Sequence, residues 1–202
     1  MESPKPLALP PPARAASIRP KIIVSLVIPL AIIMVALVIL RSTGLVRSFS
    51  ISTGSMSPAV CAGDHFLTED FTFLNREPRR GDIVTFKSDG ISLLSPATLY
   101  IKRIIGEPGD HLRLADGKLF INNQPVSLSN CVGRISYDLP PSYISSQSMI
   151  TNLTVPAGTY FVVGDNSTTS LDSRFWGSLP RTNITGRVAF NYWPPKRMGF
   201  VK

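Results

Sequence analysis

The apolar positions of this chain fall into two regimes. From Ile22 to Leu40 they form one block without a charge, interrupted in its apolar character only by Ser25. At 1.5 Å per residue a helix over that block is roughly 28 Å long, close to the ~30 Å of a bilayer's hydrocarbon core. Pro29 inside the block would break a soluble helix but is tolerated in a membrane-spanning one. A buried core helix or a cleaved leader is the competing reading. The block is too long for a leader's apolar region, and no small-x-small cleavage pattern follows it closely. A transmembrane helix over residues 21–41 is therefore expected. After it the pattern changes to short apolar runs separated by Gly, Pro, Asn and Asp. Ile83–Lys87, Leu99–Ile105, His111–Leu114, Lys118–Ile121, Thr159–Val163 and Arg187–Tyr192 each read as strands. Asp116-Gly117, between two of them, is a hairpin turn signal. No long helical period recurs after residue 41, so a mainly β domain over 42–202 is expected. Residues 124–156 are polar, Ser-rich and punctuated by Pro, which suggests a variable lobe at about 124–156 instead of core.

Residues 1–20 are rich in Pro and Ala, with Pro10, Pro11 and Pro12 in a row, and read as an extended or disordered tail. Lys5, Arg14, Arg19 and Lys21 precede the apolar block, while Arg41 and Arg47 follow it. Cytoplasmic flanks collect Lys and Arg, so the N-terminus is expected in the cytoplasm and the β domain outside it. The net charge of the 202-residue chain is +8. That charge forms no basic stripe with interleaved aromatics, so anionic lipid is favoured over nucleic acid as its partner. Cys61 and Cys131 lack metal-ligand spacing, and sequence leaves open whether they are bridged or free. His65 and His111 lack such spacing too.

Four clusters combine turn residues with reactive side chains. In Ser50-Ile51-Ser52-Thr53-Gly54-Ser55-Met56-Ser57-Pro58, a serine after glycine in a tight segment can present its hydroxyl and its N–H to one point. Thr53 could add a second donor to the same oxyanion site. The segment alone is equally a plain loop. In Leu99-Tyr100-Ile101-Lys102-Arg103-Ile104-Ile105, period-two alternation sets one basic group among apolar neighbours on each face. A lysine so placed loses solvation, its pKa falls, and the neutral amine can take a proton from a serine hydroxyl. The alternative is a lysine that snorkels to water from an edge strand. Arg80-Gly81-Asp82-Ile83-Val84 is a turn feeding a strand. Gly164-Asp165-Asn166 with Ser170-Leu171-Asp172-Ser173-Arg174-Phe175-Trp176-Gly177 gathers acids, hydroxyls and an arginine in one polar loop.

Taken in order behind one apolar span, these segments resemble bacterial type I signal peptidases, Ser/Lys-dyad enzymes that remove signal peptides from exported proteins. The resemblance runs from residue 22 to about 193 and implies an antiparallel β-sheet catalytic domain behind one N-terminal transmembrane helix. It puts the nucleophile at Ser55 and the general base at Lys102. It assigns the second oxyanion donor to Thr53, a lysine-orienting serine to Ser170, and a bracing network to Asp172, Arg174 and Arg103, with Asp165 nearby. Pocket positions fall on Phe49, Ile51, Met56, Val60, Tyr100 and Ile101, which suit the small side chains of an Ala-x-Ala cleavage site. The implied partners are the signal peptides of preproteins, the lipid bilayer and the secretion translocon, with no nucleic acid. The implied location is a single-pass position in the cell membrane, and neither metal nor cofactor is implied. Ser167-Thr168-Thr169 replaces a segment that is often more charged in the family, and Thr53 replaces a common Ser while keeping the hydroxyl. A specialised peptidase maturing a pilus or conjugation client, a self-cleaving repressor-type Ser/Lys protein and a non-catalytic membrane-tethered binding module are the alternatives. The apolar block and the absence of a DNA-binding segment count against the repressor type.

Overall fold

The computed structural model describes residues 20–130, 133–136 and 149–201. Cys131, residues 137–148 of the expected lobe, and the expected tail up to residue 19 lie outside the described residues. The chain divides into two compact units, Met1–Ser42 and Thr43–Lys202.

The first unit contains helix α1 (Pro20–Ser42). Proline is tolerated at a helix's first position, and Arg41 in the last turn complements the helix dipole. Its described large apolar side chains, among them Leu26, Leu30, Ile33 and Val38, are each more than half exposed. The side chains of α1 are described without a break only over residues 25–36. Counted on the described residues, no helix is long and apolar enough to cross a membrane.

The second unit is mainly antiparallel β-sheet. Its strands are β1 (Val46–Ser50), β2 (His65–Glu69), β3 (Ile83–Lys87), β4 (Leu99–Gly106), β5 (His111–Ala115), β6 (Lys118–Ile121) and β7 (Gln124–Pro125). They continue with β8 (Ser127–Asn130), β9 (Gly133–Ser136), β10 (Asn152–Thr154), β11 (Thr159–Val163), β12 (Leu179–Pro180), β13 (Ile184–Trp193) and β14 (Gly199–Phe200). The large sheet has the order β1-β2-β13-β3-β4-β11-β12, with β14 added to β13. A smaller sheet has the order β10-β5-β6-β7, and β8 pairs with β9.

The six strands expected from the short apolar runs are all present. Asp116 and Gly117 both have positive φ, 49° and 77°, the conformation of the tightest hairpin turn, and they join β5 to β6. Part of the stretch read as a lobe belongs to the core instead. β10 pairs with β5, and Val155, 1% exposed, packs with Leu112, Phe161 and Val163. The strand pattern there is short and broken by polar residues, and its partner is forty residues upstream, so local periodicity does not reveal it.

Two core clusters sandwich the large sheet's centre. One joins Ile51, Met56, Val60, Phe66, Ile83 and Ile101. The other joins Val84, Phe86, Ile104, Val162, Leu179 and Ile184. Strand β4 feeds both, because successive residues of a strand face opposite sides. Phe86 is fully buried and its ring meets those of Tyr100 and Trp176, with centroids 5.9 Å away in each case. Phe86→Ala is expected to lower the unfolding free energy by about 3–5 kcal/mol, read as a shift in the urea midpoint with an unchanged slope.

Candidate active site

Strand β4 is flanked on one side by β3, which pairs with it from Leu99 to Arg103. On its other side β11 pairs with it from Arg103 to Gly106 and then leaves. Lys102 therefore sits where the ladder opens. It is 4% exposed, so it does not snorkel, and its Nζ donates to Ser55 Oγ at 3.0 Å. Among the described residues Lys102 Nζ has no other hydrogen-bond partner. Burial depresses its pKa to about 8, opposed by the charge of Asp172, assisted by Arg174 and opposed again by Asp165.

Ser55 lies in the irregular segment between β1 and β2 and is itself buried. Its backbone is fixed from the far loop: Asn166 N–H donates to Ser55 O at 3.0 Å, and Asn166 Nδ2 to Gly54 O at 3.3 Å. Sequence reasoning placed Asn166 in the polar loop without giving it a task. Gly164, at the point where β11 ends, is a second such residue. A Cβ there would overlap Ser170 and lie 2.6 Å from Ser55 O, so only glycine lets the two segments close. Its place between an apolar strand and an acid was the available signal. Among the described residues neither the Ser55 N–H nor the Thr53 hydroxyl meets an acceptor, and Thr53 lines the same cavity as Ser55.

The two acids of the loop are each claimed by an arginine. Arg103 Nε and Nη2 bind Asp165 Oδ1 and Oδ2 at 2.7 Å each, and Arg103 Nη1 donates to Gly81 O at 2.8 Å. Arg174 Nε and Nη2 bind Asp172 at 2.8 and 2.7 Å, and Nη2 also reaches Ser167 O at 2.9 Å. Asp172 accepts further from Gly164 N–H at 3.0 Å and from Ser170 Oγ at 2.6 Å. The expected contact of Ser170 with the lysine is not made. Its hydroxyl serves the stronger acceptor, a buried carboxylate, and bears on Lys102 through Asp172.

A groove of about 470 Å³ opens over Ser55 and Lys102. Of the expected pocket residues, Phe49, Ile51, Tyr100 and Ile101 line it. Met56 and Val60 do not. The segment turns back on itself, Val60 N–H bonding Met56 O at 2.9 Å, and both side chains are fully buried in the core under Phe66 and Ile101. Phe66, Leu99, Thr98, Thr169 and Leu171, none of them expected in the pocket, also line it, together with Ser50, Ser52 and Thr85. Among the described residues that line the groove, Lys102 alone has an ionisable cationic side chain; the rest are apolar or hydroxyl-bearing.

The sequence matches the family described as signal peptidase, peptidase S26, over residues 23–193. The chain belongs to the signal peptidase family. It is 36% identical over 166 residues to thylakoidal processing peptidase 1, chloroplastic, of Arabidopsis thaliana, covering 79% of this chain and 46% of that protein. It is 32% identical over 203 residues to signal peptidase I of Leptolyngbya laminosa, covering 98% of this chain and 95% of that one. The chain thus spans less than half the length of the Arabidopsis relative. A solved signal peptidase I from Enterococcus faecalis V583 aligns at 29% sequence identity with a TM-score of 0.40, covering 55% of this chain and 97% of that one.

Gly164→Ala is expected to cost about 1–3 kcal/mol through overpacking, measured by thermal or urea unfolding.

Proposed function

We propose that this protein is a membrane-bound serine endopeptidase that cleaves N-terminal signal peptides from exported preproteins with a Ser55–Lys102 dyad. One observation carries the reading: a buried lysine whose hydrogen bond, among the described residues, goes to a serine hydroxyl at 3.0 Å, on the floor of an apolar groove. The family supplies the substrate class.

A pKa of about 8 leaves roughly a tenth of Lys102 neutral at pH 7, enough for a general base. Neutral Nζ takes the Ser55 hydroxyl proton as Oγ bonds to the scissile carbonyl carbon. The Ser55 N–H and the Thr53 hydroxyl donate to the resulting oxyanion. Lys102 then returns the proton to the leaving amine as the C–N bond breaks, and the acyl group stays on Oγ. A water gives a proton to Lys102 as its oxygen attacks the ester carbon; the C–Oγ bond breaks, Lys102 returns the proton to Ser55 Oγ, and the signal peptide leaves with a new carboxylate. Asp165 and Asp172 hold the loop against Ser55, with Arg103 and Arg174 as their counterions. Ser170 steadies Asp172.

The open edge of β4 offers backbone groups of Leu99–Lys102 to an extended peptide, which would add as a strand. The neutral walls fit an uncharged segment, and the side chains of Phe49, Ile51, Tyr100 and Ile101 favour small residues of the Ala-x-Ala kind. A membrane anchor at 21–41 is supported by the 23-residue length of α1, roughly 34 Å, and by the uncharged block Ile22–Leu40. The cations before the block favour a cytoplasmic N-terminus and an extracytoplasmic catalytic domain. Tyr192, Trp193, Met198 and Phe200 are exposed aromatic and thioether side chains beside Lys196, a composition suited to a lipid headgroup layer.

Two outcomes test the dyad with the full chain in detergent and a fluorogenic Ala-x-Ala peptide. Ser55→Ala should reduce turnover to background, and Lys102→Met should cost roughly 10²–10⁴-fold while circular dichroism stays unchanged. Near-normal turnover by Lys102→Met would refute the lysine's role. The second outcome is pH dependence. Because the unprotonated amine is the active form, kcat/KM should rise tenfold per pH unit below about pH 8 and level off above it.

A further inference from the structure

The segment Ile51–Asp64 carries Ser55 and is closed at its base by two backbone bonds. Ile51 N–H donates to Asp64 O at 3.1 Å, and Gly63 N–H to Ile51 O at 2.8 Å. Its near limb is held by Asn166, as described above. Its far limb, residues 57–64, is held from the opposite end of the sequence. Arg197 stands in the short turn Pro195–Arg197 that follows β13. Its Nε lies 3.0 and 3.2 Å from the two oxygens of Asp64, and its Nη2 lies 2.9 Å from Asp64 Oδ2. The same Nη2 reaches Pro58 O at 3.1 Å. Asp64 is 1% exposed and also accepts the Cys61 N–H at 2.8 Å. Burial alone would raise the Asp64 pKa, but the hydrogen bonds from Arg197 and Cys61 more than offset it and the pKa is lowered. The carboxylate therefore stays charged wherever a lysine near pH 8 titrates.

We infer that Arg197 is a positioning residue for the nucleophile: by holding Asp64 and the Pro58 carbonyl together, it sets the lie of the segment that brings Ser55 Oγ to Lys102 Nζ. Only Met56 and Ser57 lie between Ser55 and Pro58, so a shift of the far limb passes directly to the hydroxyl. A misplacement of about 1 Å at a reacting atom costs on the order of 10²-fold in rate. Arg197 is one-third exposed but Asp64 is buried, so removing the guanidinium leaves a buried carboxylate without its counterion. The carboxylate would then turn toward water and take the Cys61 N–H that it accepts with it, while the Pro58 carbonyl would lose its Arg197 donor. The inference rests on the reading of Ser55 and Lys102 as the dyad.

The test uses the full chain in detergent, the Ala-x-Ala peptide, and a small activated ester too short to fill the groove. Arg197→Ala should lower kcat at least tenfold with KM within twofold, and should slow acylation by the ester by the same factor. Its pH profile should keep the parent midpoint, because Lys102 keeps its burial. Arg197→Lys, which can reach Asp64 but not Pro58 O at the same time, should give an intermediate kcat. Arg181→Ala, which removes a surface ion pair with Glu77, should leave both rates unchanged. A folded Arg197→Ala protein with parental kcat, or one in which KM alone moves, would overturn the inference. Should Arg197→Ala not fold, Arg197→Lys decides: an intermediate kcat at unchanged Tm supports positioning, and a parental kcat refutes it. Failure of the parent protein to cleave the peptide would instead sink the proposed function.

Discussion

An ammonium buried without a counterion of its own is the constraint around which this site is arranged. Removing Lys102 from water disfavours its charged form, and a nearby carboxylate would ordinarily restore it. Two carboxylates are close enough to act on it, Asp165 and Asp172. Each is held by an arginine through two nitrogens, Arg103 on one and Arg174 on the other, and the remaining lone pairs of Asp172 take N–H and O–H donors. Each pair is formally neutral. The lysine is left with a hydroxyl as its partner, and the cost of its charge stays unmet. Freeing either acid from its arginine would allow an ion pair with Lys102 and a cation where the proposed chemistry needs a neutral amine.

The fold delivers this arrangement through one strand. Neighbouring residues of a strand point to opposite sides, so Lys102 and Arg103 serve different ends of the same site. Lys102 turns to Ser55, while Arg103 turns to Asp165 and to Gly81 at the turn that opens β3. The departure of β11 after Val163 does two things at once. It exposes the edge of β4 beside Lys102, and it sends Gly164–Asn166 against the Ser55 backbone. The segment that carries Ser55 has no strand partner among the described residues and depends on tertiary contacts at both limbs, Asn166 near Ser55 and Arg197 beyond it.

Sequence makes the sheets legible where apolar residues cluster in short runs bounded by turn residues, as in β3, β4, β6 and β11. It missed β1 and β2, where polar residues are accommodated by distant partners. Buried Glu69 at the end of β2 is matched by Arg187, more than a hundred residues away. The family resemblance pointed to Ser55, Lys102 and the two acid–arginine pairs, and the structure brings all of these together. It does not say which side of a turn faces the groove: Met56 and Val60, expected in the wall, lie in the core, while Leu171 and Leu99 line the groove. Nor could it decide between two acceptors for Ser170, which depends on a carboxylate placed by Gly164 and Arg174.

The charge state of Lys102 is the most direct test of this account. With lysine labelled at its terminal carbon, the full chain in detergent can be titrated by NMR and the Lys102 signal assigned by its loss in Lys102→Met. The account predicts a midpoint near 8, with most of the population neutral by pH 9. A midpoint at the ordinary lysine value of about 10.4 would contradict it, because the amine would then remain charged beside Ser55 and could not act as its base.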